Sequence, residues 1–167
     1  ASDSIGHTYS RVKSTSHIVK QIPPEEINSF FSLSSTIGGY ILFPARKIDN
    51  KMTINGSRGL NPKIRDRFDL TLECIRRFYS NENSPLSDTL QRYSLFFSLF
   101  QDFKGYVDFF LLQDLVEENY LAIKPYLPSN GFDRPPIPNT VEEYKSYKKN
   151  MMDFVRARNH RIRMGNS

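Results

Sequence analysis

Two apolar rows at helical spacing run between Pro62 and Tyr79, and they constrain the fold more than any other feature of the chain. Ile64, Phe68, Leu72, Ile75 and Tyr79 recur every three or four residues, with Leu70, Cys74 and Phe78 forming a second row. A helix over 62–79 patterned in this way is buried around most of its circumference, so other elements must pack on several of its sides. Asn61 and Pro62 supply its start, as an N-cap followed by a first-turn proline. The same stretch carries Arg65, Asp69, Glu73 and Arg77 at successive four-residue steps, with Arg76 three after Glu73. Opposite charges at that spacing pair along one face. On a helix that is apolar elsewhere, a buried carboxylate left unpaired is too costly to persist. The plain reading of Asp69 and Glu73 is therefore an ion-pair network, although such a pair can also serve as acid and base or hold a hard metal ion.

The residues before this helix predict a β-hairpin. Tyr40, Ile41, Leu42 and Phe43 form an apolar run, 51–55 alternates polar with apolar, and Asp49 with Asn50 offers a turn between them. Pro44 cannot donate to a ladder and marks a strand end or edge. The segment 55–61, with Gly56 and Gly59, reads as a tight turn whose backbone N–H groups can approach an anion, although it lacks the spacing and the Lys-Ser/Thr of a phosphate loop. Asn55 and Arg58 on this turn, with Asp69 and Glu73 on the helix, are the candidate catalytic residues.

Three motifs in this region, GGxxxFP at 38–44, TINGxRG at 53–59 and DRxDLTLECIRR at 66–77, resemble those of a family of uncharacterised bacterial proteins catalogued as a domain of unknown function. The resemblance continues through 103–115 and into Ala157, Arg158 and Asn159, so it covers nearly the whole chain. It implies no activity. It is consistent with Asn55, Arg58, Asp69 and Glu73 being characteristic positions, and it implies a further N-terminal segment that this chain lacks.

Elsewhere the chain reads as polar and partly extended over 1–21, with a short strand near 8–12 and His7, Lys13 and His17 as surface groups. Pro23, Pro24, Glu25 and Glu26 open a short helix that buries Ile27, Phe30, Phe31 and Leu33. Further helices are expected over 86–103 and 106–117, the latter so apolar that it is assigned the centre of the core. A proline-rich loop spans 120–140. Thr140 and Glu143 then form a capping box for a C-terminal helix over 141–163.

One face of that last helix gathers lysines and arginines, of which Lys148, Lys149, Arg156, Arg158 and Arg161 are the candidate nucleic-acid-binding residues. A formal net charge of +5 and a pI near 9.3 favour a polyanionic partner, RNA or DNA. Arg156 and His160, one turn apart, resemble the Arg…His motif of HEPN-type ribonucleases at a shorter spacing. The single cysteine, Cys74, excludes an internal disulfide and a cysteine-rich zinc site. No apolar run is long enough to span a bilayer, no secretory leader is visible, and a bacterial cytoplasm is expected.

The chain is thus expected to form one α+β domain over 1–167, predominantly helical with about five helices and a small antiparallel sheet or hairpin. The leading functional expectation is nucleic-acid binding through the C-terminal helix, with no cofactor and no metal. The alternatives are a nuclease-like hydrolase using Asn55, Arg58, Asp69, Glu73 and His160, or an interaction domain that pairs with a second copy or with the N-terminal segment.

Overall fold

The computed structural model describes residues 16–128 and 131–165; the strand expected near 8–12, with His7 and Lys13, lies outside them. Eight α-helices occur among these residues: α1 (Ser16–Val19), α2 (Pro24–Ser34), α3 (Ile54–Leu60), α4 (Phe68–Tyr79), α5 (Ser87–Arg92), α6 (Ser94–Ser98), α7 (Phe103–Phe109) and α8 (Val141–Met164). Short 3₁₀ turns stand at Ile37–Gly39 and Gln113–Leu115. Among the described residues none of the helices is long and apolar enough to cross a membrane.

The expected α+β class is overturned. No β-strand forms among the described residues; Val116 and Ile123 form an isolated bridge. The expected hairpin turn is present: Asp49 and Asn50 both have positive φ, and Lys51 N–H donates to the Ile48 carbonyl at 3.0 Å. The ladder is missing because helix side chains take the backbone groups on either side of it. Arg158 donates to the carbonyls of Gly38 and Tyr40, the Tyr93 hydroxyl to that of Arg46, and Arg92 to that of Met52. The segment therefore runs over the helices as an irregular strap.

The glycine-rich stretch is likewise helix rather than turn. Thr53 caps α3 by accepting from Gly56 N–H, and the amides of Ser57 and Asn61 are spent on α-helical bonds, so the expected anion nest is not formed. The long helix expected over 62–79 begins later. Asn61 accepts from Lys63 N–H in an Asx turn, Arg65 and Asp66 both adopt positive φ, and Asp66 N–H turns back to the Arg58 carbonyl at 3.1 Å. Only then does α4 start, and its eight residues from Phe68 to Ile75 are all buried. This helix, rather than 106–117, occupies the centre.

The 106–117 expectation fails at Leu111. Its φ of 56° ends α7 in a Schellman motif, with Leu112 N–H donating to Val107 and Leu111 N–H to Asp108. Two aromatic groups fill the core. Phe30, Tyr147, Tyr126, Phe154 and Phe68 join α2, α4, α8 and the proline-rich loop. Phe78, Tyr79, Phe97, Tyr106 and Phe110 join α4 to α6 and α7.

Candidate functional site

Three of the four catalytic candidates, Arg58, Asp69 and Glu73, are buried, and each has partners. Arg58 is fully buried: its Nε donates to Thr71 Oγ1 at 2.8 Å, its Nη1 to Asp66 Oδ1 at 3.0 Å, and its Nη2 to the Asp66 carbonyl. Thr71 passes the connection on by donating to the Arg67 carbonyl at 2.8 Å. Arg67 in turn forks onto Asp69, with Nε to Oδ1 at 2.9 Å, and reaches the Pro136 carbonyl at 3.0 Å. Asp69 also accepts from Tyr126 N–H at 2.8 Å. This continuous polar seam ties α3, the 62–66 turn and α4 to both ends of the proline-rich loop. Every carboxylate in it has a guanidinium, as the cost of burying a lone charge requires.

Glu73 belongs to a second cluster. It is buried, and it accepts from Arg76 at 2.9 and 3.0 Å and from Arg77 at 2.8 Å, the i,i+3 and i,i+4 partners expected from the sequence. Glu82 joins it through Arg76, and the hydrogen bonds that Arg76 donates to Glu73 and Glu82 raise its pKa above the ordinary value. Asn55 stays exposed on α3, and His160 is exposed on α8. The four candidates and His160 do not converge on one cleft. No group of three or more His, Cys, Asp or Glu among the described residues is placed to hold a metal ion. Cys74 is buried on α4, and burial pushes its thiol up to about 12, which leaves it protonated and inert at neutral pH.

The basic face of α8 is largely spoken for within the molecule. Lys148 is buried and pairs with Glu26. Arg158 is buried too; it donates to the carbonyls of Phe110, Gly38 and Tyr40, and burial lowers its pKa. Arg161 pairs with Asp114, whose hydrogen bond raises the Arg161 pKa, and Lys149 and Arg156 share Asp153. Beside Arg158, Asn159 accepts from Gly38 N–H at 2.8 Å and donates to Thr36 Oγ1 at 2.7 Å. A Cβ on Gly38 would stand 2.7 Å from both Asn159 Oδ1 and the Val155 carbonyl, so only glycine lets the 3₁₀ turn lie this close to α8. The Ala157, Arg158 and Asn159 motif is thus a latch onto the GGxxxFP motif.

Three cations without a carboxylate partner, Lys51, Lys63 and Arg92, stand around a cleft with two lobes. The larger lobe, about 610 Å³, is lined by Lys51, Met52, Ser57, Asn83, Ser84, Pro85, Ser87, Asp88, Thr89 and Arg92. The second, about 470 Å³, is lined by Asn61, Pro62, Lys63, Arg77, Asn83, Ser84, Pro85, Gly131 and Phe132. Asn83, Ser84 and Pro85 form the wall common to both. Local chemistry places these groups. Ser87 Oγ accepts from Ser84 N–H at 2.8 Å, Asn61 Nδ2 donates to the Pro85 carbonyl at 3.3 Å, and Thr89 Oγ1 donates to Ser57 Oγ at 3.1 Å. Arg92 holds the strap through the Met52 carbonyl at 3.1 Å and also donates to the Asp88 carbonyl, so its contacts leave its charge uncompensated. Lys51 and Lys63 are exposed and form no ion pair among the described residues. Ser57 lies in the TINGxRG motif, yet Ser57, Lys51, Lys63, Thr89 and Arg92 were not legible as a group from the sequence. Their convergence needs the 62–66 turn to fold α3 back toward α5.

An exposed apolar group forms a further surface feature. Leu95 and Leu99, one helical turn apart, are 84% and 74% exposed, and Phe109, 69% exposed, stacks on Phe100 at 5.1 Å.

Compared with known proteins, the chain matches over residues 1–162 a model described as a family of unknown function (DUF6994). No curated protein and no solved structure matches the chain.

Proposed function

The chain belongs to this family of unknown function, a membership that carries no reaction with it, and from the cleft we propose that the protein binds the phosphate backbone of single-stranded nucleic acid. The observation that carries this reading is the distribution of unpaired positive charge. Lys51, Lys63 and Arg92 face the two lobes, with Asp88 the one carboxylate in either lining, whereas on α8 Lys148, Lys149, Arg156, Arg158 and Arg161 are held by acids or by the core and only Lys145 and Arg163 stand exposed without an ion pair among the described residues. Serine, threonine and asparagine side chains between these cations offer the donors that backbone phosphates accept. In this reading the cleft, rather than α8, carries the phosphate contacts.

Binding of a fluorescent single-stranded RNA, followed by anisotropy, tests the proposal. Three phosphate contacts on a single strand give log K a slope of about −2 against log salt, so affinity falls roughly 16-fold between 50 and 200 mM. Lys51→Glu and Lys63→Glu should each weaken binding several-fold. Lys149→Glu and Arg156→Glu should leave it close to that of the parent protein. Absence of binding at low salt, or a loss that follows the α8 substitutions instead, would overturn the reading.

The exposed apolar side chains of Leu95 and Leu99, one turn apart, and of Phe109 favour a second reading, an interaction surface, since exposed apolar patches mark contact sites. A solution mass above that of one 19.5 kDa chain, returned to the monomer by Leu95→Ser with Leu99→Ser, would support it.

A further inference from the structure

The two lobes differ in chemistry, and from that difference we infer that the cleft is a nucleotide site that takes a phosphate monoester in the larger lobe and a base in the smaller. This deepens the backbone-binding reading and rests on it. The larger lobe brings four hydroxyls, those of Ser57, Ser84, Ser87 and Thr89, together with the charges of Lys51 and Arg92. Hydroxyls rotate to suit their partner, so the Ser57–Thr89 pair, bonded to each other at 3.1 Å, can turn a proton toward an incoming oxygen. A doubly charged terminal phosphate gains more from such a lobe than a singly charged internal diester does.

The smaller lobe pairs an apolar lining with amide groups. Pro62 and Pro85 line it, and the Arg77 guanidinium lies 4.9 Å from the ring centroid of Phe132, itself buried. Flat apolar and cationic surfaces of this kind receive bases with little regard to sequence. The Asn83 side chain, exposed on the common wall, carries both a donor and an acceptor and can meet a base edge. Both volumes lie within the range of sites for small ligands. The occupant is therefore a nucleoside monophosphate, either free or as the phosphorylated end of a strand.

Competition against the labelled RNA distinguishes these sources. The competitors are AMP, CMP, GMP and UMP, adenosine, inorganic phosphate, and a ten-residue RNA with or without a 5′-phosphate. Monophosphates should compete at least tenfold better than adenosine or inorganic phosphate alone. Ser57→Ala with Thr89→Ala should lower monophosphate affinity about tenfold, and Asn83→Ala should change the ranking of the four bases. Both variants are first checked for an unchanged thermal melt, and Lys51→Glu serves as a second, fully exposed probe of the same lobe. A tenfold preference for the 5′-phosphorylated strand assigns the site to strand ends; competition by free monophosphates without that preference assigns it to free nucleotides. If the strand binds through Lys51 but monophosphates do not compete and the terminal phosphate has no effect, the nucleotide site is refuted and backbone binding stands. If the strand does not bind but titration calorimetry detects binding of the monophosphates, backbone binding is refuted and the nucleotide site stands. Inorganic phosphate competing as well as the nucleotides would also refute the inference, and binding of neither strand nor nucleotide would remove both proposals.

Discussion

Asp69 illustrates how the charged residues of this chain are spent on architecture. It sits fully buried between Arg67 and the Tyr126 amide, where removal of its carboxylate strands a guanidinium in the core. Asp69→Ala should therefore cost about 3–5 kcal/mol of unfolding free energy in urea titrations. Asp69→Leu combined with Arg67→Met should cost much less, because no charge is then left alone. A single-variant loss below about 1 kcal/mol would show that water reaches the pair. Cys74 provides an independent check of the same packing. With its thiol pushed up to about 12 by burial, it should resist iodoacetamide at pH 8 in the folded protein and react once denaturant is added. Rapid labelling of the native state would contradict a closed α4.

At the level of elements, several breaks between helices, at Arg65 and Asp66, Asn81, Gln101 and Leu111, are made by non-glycine residues with positive φ. Gln101 links α6 to α7 at φ 70°, with Asp102 N–H bonded to the Phe100 carbonyl at 2.9 Å in a γ-turn. It is exposed, so Gln101→Gly should relieve the left-handed conformation without loss of packing and raise stability by about 0.5–1 kcal/mol, read from the urea midpoint. A decrease would mean that the turn costs little as it stands. The same feature marks the limit of what the letters could convey. Thr140 with Glu143, and Pro24 with its following acids, announced α8 and α2 because a cap is a local signal. Leu111 and Arg65 carry no such signal: nothing in a leucine or arginine side chain advertises positive φ, and tertiary contacts impose it. The hairpin failed for a related reason. Alternation and an Asp-Asn turn were legible, but Arg158, Tyr93 and Arg92, which claim the strap's carbonyls, come from 40 to 120 residues away. The burial of Arg58 and the joining of Lys51, Lys63 and Arg92 around one cleft were hidden for the same cause.

For the whole molecule, surface pairing sets a pH window. Hydrogen bonds from Lys104, Lys148 and Arg76 hold Asp108, Glu26 and Glu82, respectively, below the usual carboxylate range. A depressed folded pKa contributes stability that is present above the unfolded value, near 4, and lost as pH falls through the folded one. Unfolding free energy should thus stay level from pH 7 to 5 on account of these groups and decline below about 4. Asp108→Asn should make that decline shallower; an unchanged acid limb would exclude Asp108 as a contributor. The latch of Arg158 and Asn159 on Gly38 and Tyr40 bears on how the molecule is made. Its two halves stand about 120 positions apart, so at roughly 5–20 residues per second a ribosome needs about 6–24 seconds to supply the second after the first. Through that interval the nascent front third has no α8 to close on, and it is then that a chaperone would find it open.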